Sequence, residues 1–235
     1  MIIQQTPQAS IDSALPVEVS TQQIEAARYA VLRRLAPALR HHMVRPLQPI
    51  GLIYGVMHHK LSAAQPDLPS VREEAEKINE FAKAALDECM DMGTWLAPEP
   101  GVVTDVESGV RECVGLMATM LHFCGFRLVN EVEELPAQVL RDALRMVLSA
   151  ALFALTDAMD EPVTVTIHAR ASRSEVTLTL QTDLIGDGQL DRYDDGYRKL
   201  VWADVQALAF AEHVGLSRQG RQLTLRFAVE PALVH

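Results

Sequence analysis

Two adjacent histidines and an arginine lie in the segment LRHHMVRPLQPI, as His41, His42 and Arg45. A neutral imidazole, with a pKa near ~6.5, is a free nucleophile at the pH of a cell. If the segment is helical, Arg45 lies one turn beyond His41 on the same face, where a guanidinium can hold a phosphoryl group or a carboxylate. The alternative interpretation is a polar helix face that carries two solvated histidines and a solvated arginine.

An apolar stripe runs along the helix that is expected to carry these residues. From Thr21 onward the apolar residues alternate steps of three and four, as in a bundle seam, at Leu32, Leu35, Leu39, Met43, Leu47, Ile50, Tyr54, Met57 and Leu61. His41 lies about 200° around the helix from both Leu39 and Met43, so it is expected to point away from the stripe. His42 lies nearer to its edge.

A bend is expected just after His41. Pro46 and Pro49 each lack an amide hydrogen, so the carbonyls of His42 and Arg45 lose their helical partners.

A second helix is expected over SVREEAEKINEFAKAALDECMDMGTWL, with Ser70 as its N-cap and Glu73 as the capping-box partner. The turn AAQPDLPS separates it from the first helix, so the two form an antiparallel hairpin over residues 20–97, preceded by a flexible tail at 1–19. A lone hairpin cannot cover both of its apolar faces. Two copies are therefore expected to pair into a four-helix bundle, which makes the chain a homodimer.

The segment APEPG at 97–101 marks a boundary, and residues 102–231 mix helices with strands. Helices are predicted from about Val106 to His122, from Pro136 to Met159, and over LVWADVQALAFAEHVG. Strands are predicted in FRLVNEV, in VTVTIHA and EVTLTLQT with a hairpin connection, and as a last pair around LSRQGRQLTLRFAVE. This order predicts a layer of helices on one mixed sheet, and an α+β class for the whole chain.

The segment around His41 resembles the phosphoacceptor motif of histidine kinases, because Pro46 and Leu47 follow it at the family's spacing. The resemblance implies that His41 accepts a phosphoryl group and passes it to an aspartate. His42 stands where the family has an acid, which in kinases orients the reactive ring and accepts its proton as ATP is attacked. A second imidazole does this only weakly, so direct phosphorylation from ATP is not expected.

Residues 102–231 resemble the ATP-binding domain of histidine kinases in the order and spacing of their elements. The segment LRMVLSAALFALTDAM is similar to the family's helix with two asparagines, the second of which binds Mg²⁺-ATP. Aligned through Asp-Ala-Met, those two positions are Ala150 and Ala154. Methyl groups cannot coordinate the metal that neutralises a triphosphate.

Two further ATP-site motifs are incomplete. The segment TDLIGDGQ offers Asp183, Gly186 and Gly188 at the wrong spacing for the adenine-binding motif Asp-x-Gly-x-Gly, and it is typical of a turn. The expected phosphate lid contains Gly196 alone, among the four acids Asp191, Asp194, Asp195 and Asp204. We therefore expect no ATP, no metal and no other cofactor.

The composition excludes several classes of partner. The formal net charge of −10 argues against binding to nucleic acid. There is no signal-peptide pattern and no run of ~18 apolar residues, so a cytoplasmic protein is expected. The cysteines are interpreted as small core residues, and the remaining histidines as surface or structural residues: Cys89, Cys113, Cys124, His58, His59, His122, His168, His213 and His235.

Three functions remain open from the sequence. The favoured one is a histidine phosphotransferase, similar to the dimeric phosphotransferases that join a two-helix hairpin to a degenerate ATP-binding-like domain. Its partners would be response-regulator receiver domains, with a histidine kinase as a further candidate. The second is a catalytically inactive docking protein that grips a receiver or a kinase, and the third is an active ATP-dependent histidine kinase.

Overall fold

The computed structural model describes residues 19–186 and 196–231, and a helical hairpin opens the described chain. Helix α1 covers Thr21–Val44, a 3-10 turn covers Arg45–Leu47, α2 covers Gln48–Leu61 and α3 covers Leu68–Leu96. The Ser20 hydroxyl caps α1 by accepting the amide of Gln23, whose side chain accepts the Ser20 amide in return. Both α1 and α2 lie against α3, so the predicted hairpin is confirmed. Residues 1–18 of the expected tail lie outside the described residues.

The first helix is interrupted where the prolines were expected to bend it. Helix α1 ends at Val44, and the His41 carbonyl accepts the amide of Arg45. The Arg45 carbonyl, whose regular partner would be Pro49, accepts the amide of Gln48 instead, one residue earlier. The helix is thus interrupted by a 3-10 turn just after His41, at the place where a bend was expected.

The start of α3 differs from the prediction. Asp67, rather than Ser70, is the N-cap, and its carboxylate accepts the Ser70 amide at 3.3 Å. The capping box of Ser70 with Glu73 is therefore wrong. The Ser70 hydroxyl instead accepts a hydrogen bond of 2.7 Å from Lys60 Nζ, which also lies 2.9 Å from Glu74 Oε1. These bonds join the end of α2 to the start of α3.

The rest of the described chain is built from strands and helices. They are β1 Val103–Asp105, α4 Val106–Phe123, β2 Arg127–Asn130, β3 Gln138–Leu140, α5 Arg141–Asp157, β4 Val163–Ala171, β5 Glu175–Leu184, α6 Trp202–Ala211, β6 Gly215–Gln219 and β7 Gln222–Ala228. A five-stranded sheet has the order β2-β4-β5-β7-β6, in which β2 and β4 are parallel and the other pairs antiparallel. One mixed sheet with a layer of helices confirms the predicted α+β class.

Two short strands were not predicted. Strands β1 and β3 pair antiparallel in a small sheet of their own, with Val103 opposite Leu140. Residues Gln138–Leu140 are extended because they form this pair. The helix predicted to begin at Pro136 therefore begins at Arg141 instead.

The main core lies between the five-stranded sheet and the helices. Along β4, the side chains of Val163, Val165 and Ile167 are buried, and β5 and β7 show the same alternation. Helix α5 is buried along the whole run from Ala143 to Thr156, because the sheet and the other helices surround it. The first half of α1 joins this core and packs against α4, α5 and α6. The two predicted regions of the chain thus share one core.

Gly109 lets α4 approach α5 closely. A Cβ at this position would collide with the Leu144 side chain and lie 2.9 Å from Thr104 Cγ2. We expect Gly109→Ala to lower the free energy of unfolding by about 1–3 kcal/mol through overpacking. Gly115→Ala is the matched control on the exposed side of α4, where the Cβ meets open space; we expect it to stabilise the protein by up to about 1 kcal/mol. Urea denaturation followed by circular dichroism measures both changes, and a Gly109→Ala variant as stable as the parent would contradict this packing.

Candidate functional site

His41 lies exposed in the last turns of α1. Its ring meets that of His42 edge to face, with 6.2 Å between the centroids and 84° between the planes. Within residues 19–186 and 196–231, no side chain forms a hydrogen bond or ion pair with the His41 ring. The His41 ring is therefore accessible from solvent.

His42 is held by the second helix of the hairpin. Its Nδ1 lies 3.1 Å from Glu88 Oε1 on α3, and the two side chains are 24% and 27% exposed. An ionised carboxylate only accepts hydrogen bonds, so His42 Nδ1 is the donor and carries a proton. This contact selects the tautomer with the proton on Nδ1, which leaves Nε2 as the acceptor. Local sequence spacing gives no sign of Glu88, which lies 46 residues further along the chain.

Arg45 follows one turn later and is also exposed. The structure thus brings the three predicted site residues together where α1 meets the 3-10 turn. Residues 26–66 contain no aspartate or glutamate, although the chain as a whole has a net charge of −10. The carboxylate that lies beside these histidines, Glu88, therefore comes from α3.

The two alanines that align with the asparagines of the histidine-kinase helix lie on α5. Ala150 is fully buried, and Ala154 is 8% exposed. Ala154 lines a cavity of about 200 Å³ together with Lys199, which precedes α6, and Trp202, the first residue of α6. Neither alanine offers an oxygen or nitrogen ligand, so these positions do not fit a Mg²⁺-nucleotide.

Helix α1 reaches the same end of α5 through Arg34. This side chain is buried, and its Nη1 lies 2.6 Å from Asp157 Oδ2. The guanidinium also stacks on Phe153, 4.3 Å from the ring centroid. Asp157 Oδ2 accepts the Leu200 amide as well, at 2.8 Å. One carboxylate therefore joins α1, α5 and the segment before α6.

Asp183, the residue considered for adenine, is exposed at the end of β5. The buried polar side chain there is its neighbour Thr182, whose hydroxyl donates to the Arg221 carbonyl at 3.0 Å. Thr182 lines a second cavity, of about 350 Å³. Gly186 has φ +105° and Gly196 has φ +67°, which are turn conformations that favour glycine.

Of the four acids in the expected lid, Asp204 is within the described residues. Its Oδ2 accepts the Val201 amide at 2.9 Å, so it supports the start of α6. Both of its oxygens also bind Arg198, at 2.8 and 2.9 Å. Asp204 thus forms its hydrogen bonds with residues of its own segment, Arg198 and Val201. Gly188, Asp191, Asp194 and Asp195 lie outside the described residues.

A buried arginine that the sequence analysis did not single out joins α3 to α4 and α5. Arg145 is 2% exposed, and its Nε donates to Glu112 Oε2 at 3.0 Å. Its Nη1 donates to Thr94 Oγ1 at 2.7 Å, and the guanidinium lies 4.7 Å from the centroid of a Trp95 ring. The Trp95 indole nitrogen also donates to Glu112, at 2.8 Å. In the sequence, this cluster is indicated by an arginine within a mostly apolar helix.

The remaining titratable residues make no further site in the described chain. Within residues 19–186 and 196–231, no three histidine, cysteine or acidic side chains are grouped to hold a metal ion. His168 Nδ1 lies 3.3 Å from Glu131 Oε2 near the surface. Cys113 is fully buried, and burial raises the pKa of its thiol to about 12, which makes it unreactive. Over the same residues, no helix has the length and apolar character needed to cross a bilayer.

Comparison with known proteins gives matches among solved structures. No protein-family profile and no curated protein sequence matches the chain. The histidine kinase AdeS of Acinetobacter baumannii matches 81% of this chain and 97% of its own, with 13% identity and a TM-score of 0.41. The match to a histidine kinase from Burkholderia phymatum STM815 covers 90% of this chain and 98% of that chain, with 16% identity and a TM-score of 0.42. The match to a bacterial phosphotransferase covers 91% of this chain and 100% of that chain, with 12% identity and a TM-score of 0.38.

The chain is similar to histidine kinases and to a phosphotransferase. This is the resemblance that the motif around His41 indicated.

Proposed function

We propose that this chain is a histidine phosphotransferase of a two-component relay, which passes a phosphoryl group between receiver aspartates through His41. The observation that carries the proposal is an exposed imidazole at the end of α1, beside Arg45 and beside a His42 ring that Glu88 holds. A phosphoryl acceptor must meet a partner's active site, and this position leaves His41 open to one.

The transfer balances as a displacement at phosphorus. The lone pair of neutral His41 Nε2 attacks the aspartyl phosphate, the P–O bond to the aspartate breaks, and the carboxylate leaves with the electron pair. The new N–P bond leaves His41 Nδ1 protonated and the ring positively charged. Arg45, one turn away, is placed to hold the phosphoryl oxygens during transfer.

The α5 helix supports a role that does not use ATP. Alanines stand at the two asparagine positions, and the nearby carboxylate of Asp157 is bound by Arg34 and the Leu200 amide. A phosphoryl group supplied by a receiver needs no triphosphate site. We propose that residues 20–97 dimerise and carry His41, that residues 102–231 support them, and that the protein works in the cytoplasm beside its receivers.

The decisive test uses phosphoramidate, a small phosphoryl donor, and a panel of receiver domains from the same cell. We expect the protein to take up one phosphoryl group, peptide mapping to place it on His41, and one or more receivers to remove it. Binding of a receiver without any phosphoryl transfer would favour the docking function instead. Label incorporated from γ-labelled ATP would establish the active kinase.

The uncovered surface of the hairpin supports the proposed dimer. No residue of α2 is buried by the described chain, although half of its residues are apolar. Leu52 is 74% exposed, and Leu86 and Met90 on α3 are also exposed. An apolar surface of this kind on a stable protein marks an interface. Because residues 26–66 lack acids and α3 is acidic, we propose that α1 and α2 of one copy face α3 of the other.

We expect the double variant Leu52→Gln/Val56→Gln to weaken the dimer. These side chains are one turn apart on α2, and each occurs twice in a two-fold interface. A loss of about 1 kcal/mol per side chain raises the dissociation constant about a thousandfold. Analytical ultracentrifugation over a concentration series measures this change. Phe123→Gln, at an equally exposed position on α4, is the control, and a parent protein that is monomeric throughout would refute the dimer.

A further inference from the structure

The contact between His42 and Glu88 joins the two helices of the hairpin directly beside His41. His42 lies on α1 and Glu88 lies 46 residues later on α3, and their side chains meet at 3.1 Å. Both are about three-quarters buried, so solvent screens the contact less than it screens an exposed pair. Residues 26–66 hold no acid, so the carboxylate next to the histidines is supplied by the other helix.

We propose that Glu88 is a positioning residue for phosphoryl transfer at His41, and that it acts through His42. The inference rests on the proposed function, since it assigns a role within the same reaction. The Glu88 carboxylate accepts a hydrogen bond from His42 Nδ1, which leaves His42 Nε2 as an acceptor directed by the ring's fixed orientation. When the His41 ring becomes positively charged, His42 Nε2 can accept a hydrogen bond from its Nδ1.

The chemistry follows from where the charge develops. Neutral His41 reacts through Nε2, so its proton must be on Nδ1, and the ring turns cationic as the N–P bond forms. A hydrogen bond from His41 Nδ1 to His42 Nε2 selects the reactive tautomer and spreads the new positive charge toward Glu88. Every proton stays on His41, His42 or Glu88 during this step, so no further base is needed.

The proposal requires a movement of the exposed His41 ring. The two rings already meet edge to face with 6.2 Å between centroids. His41 is free of other side-chain bonds within the described residues, so rotation about its side-chain torsions can bring Nδ1 toward His42. His42 is the fixed member of the pair because Glu88 holds it.

The test compares Glu88→Ala and Glu88→Gln with Asp87→Ala, an exposed neighbour on α3. Phosphoramidate is the donor, and mass spectrometry follows phosphoryl uptake on His41 in the full chain. We expect Glu88→Ala to slow uptake by about tenfold or more. Glu88→Gln keeps an acceptor oxygen but loses the charge, so its rate should fall between those of Glu88→Ala and the parent. Asp87→Ala should react at the parent's rate.

Nitrogen-15 NMR of the histidine rings separates positioning from folding. We expect His42 to be protonated on Nδ1 in the parent and in Glu88→Gln, and to lose this preference in Glu88→Ala. If the parent takes up label on His41 and Glu88→Ala does so at the same rate, the positioning role is wrong and the proposed function stands. If the parent takes up no label on His41, both are overturned.

Discussion

Replacing His41 by alanine is expected to abolish phosphoryl uptake, with a fall in rate on the order of a thousandfold or more. The variant removes the nucleophile itself, and a methyl group cannot form the N–P bond. His41 is exposed, so its loss should change the free energy of unfolding by less than about 0.5 kcal/mol. Uptake from phosphoramidate, followed by mass spectrometry, measures the effect.

His59→Ala is the matched control for this experiment. His59 is also an exposed helical histidine, on α2, and the proposal gives it no role. Its variant should take up label at the parent's rate. If His41→Ala kept the parent's rate, with the label on His42, the acceptor would have been misassigned by one residue.

The second large effect is expected at Arg145. This buried side chain donates to Glu112 and Thr94 and lies over Trp95, so it joins the end of α3 to α4 and α5. Arg145→Met removes the positive charge but leaves the Glu112 carboxylate, 23% exposed, without its partner. Breaking a buried ion pair from one side costs about 3–5 kcal/mol. Because Glu112 is partly solvated, we expect a loss of about 3 kcal/mol.

A double variant tests the reason for this loss. In Arg145→Met/Glu112→Gln the stranded charge is gone, while the glutamine oxygen can still accept the Trp95 indole hydrogen. We expect this variant to recover at least half of the lost stability. Urea denaturation followed by tryptophan fluorescence compares the parent, the single variant and the double variant. If the single variant costs no more than the double, the stranded charge is not the cause.

The long elements could be predicted because their apolar periodicity is repeated over several turns or pleats. The predicted helix from Val106 and the alternating runs at VTVTIHA and EVTLTLQT match α4, β4 and β5 closely. Strands β1 and β3 are too short for such a pattern. They exist because each pairs with the other across more than thirty residues of chain, with Val103 opposite Leu140.

The candidate site was predicted in part. Spacing around Pro46 identified His41, and helical geometry put it away from the apolar stripe, where the structure leaves it exposed. Glu88 could not be found in this way, because it meets His42 from a position 46 residues later. A contact between helices depends on how they are rotated and shifted against each other, which local spacing does not contain.

The apolar stripe on the first helix separates what the sequence determined from what the tertiary structure decided. By itself the sequence determined that one face of this helix is apolar and that the chain breaks at two prolines. The tertiary structure decided that Leu35 is buried against the α/β part of the chain, while Leu47 stays 47% exposed. Burial of apolar surface has no preferred direction, so periodicity shows which face is buried but not what covers it.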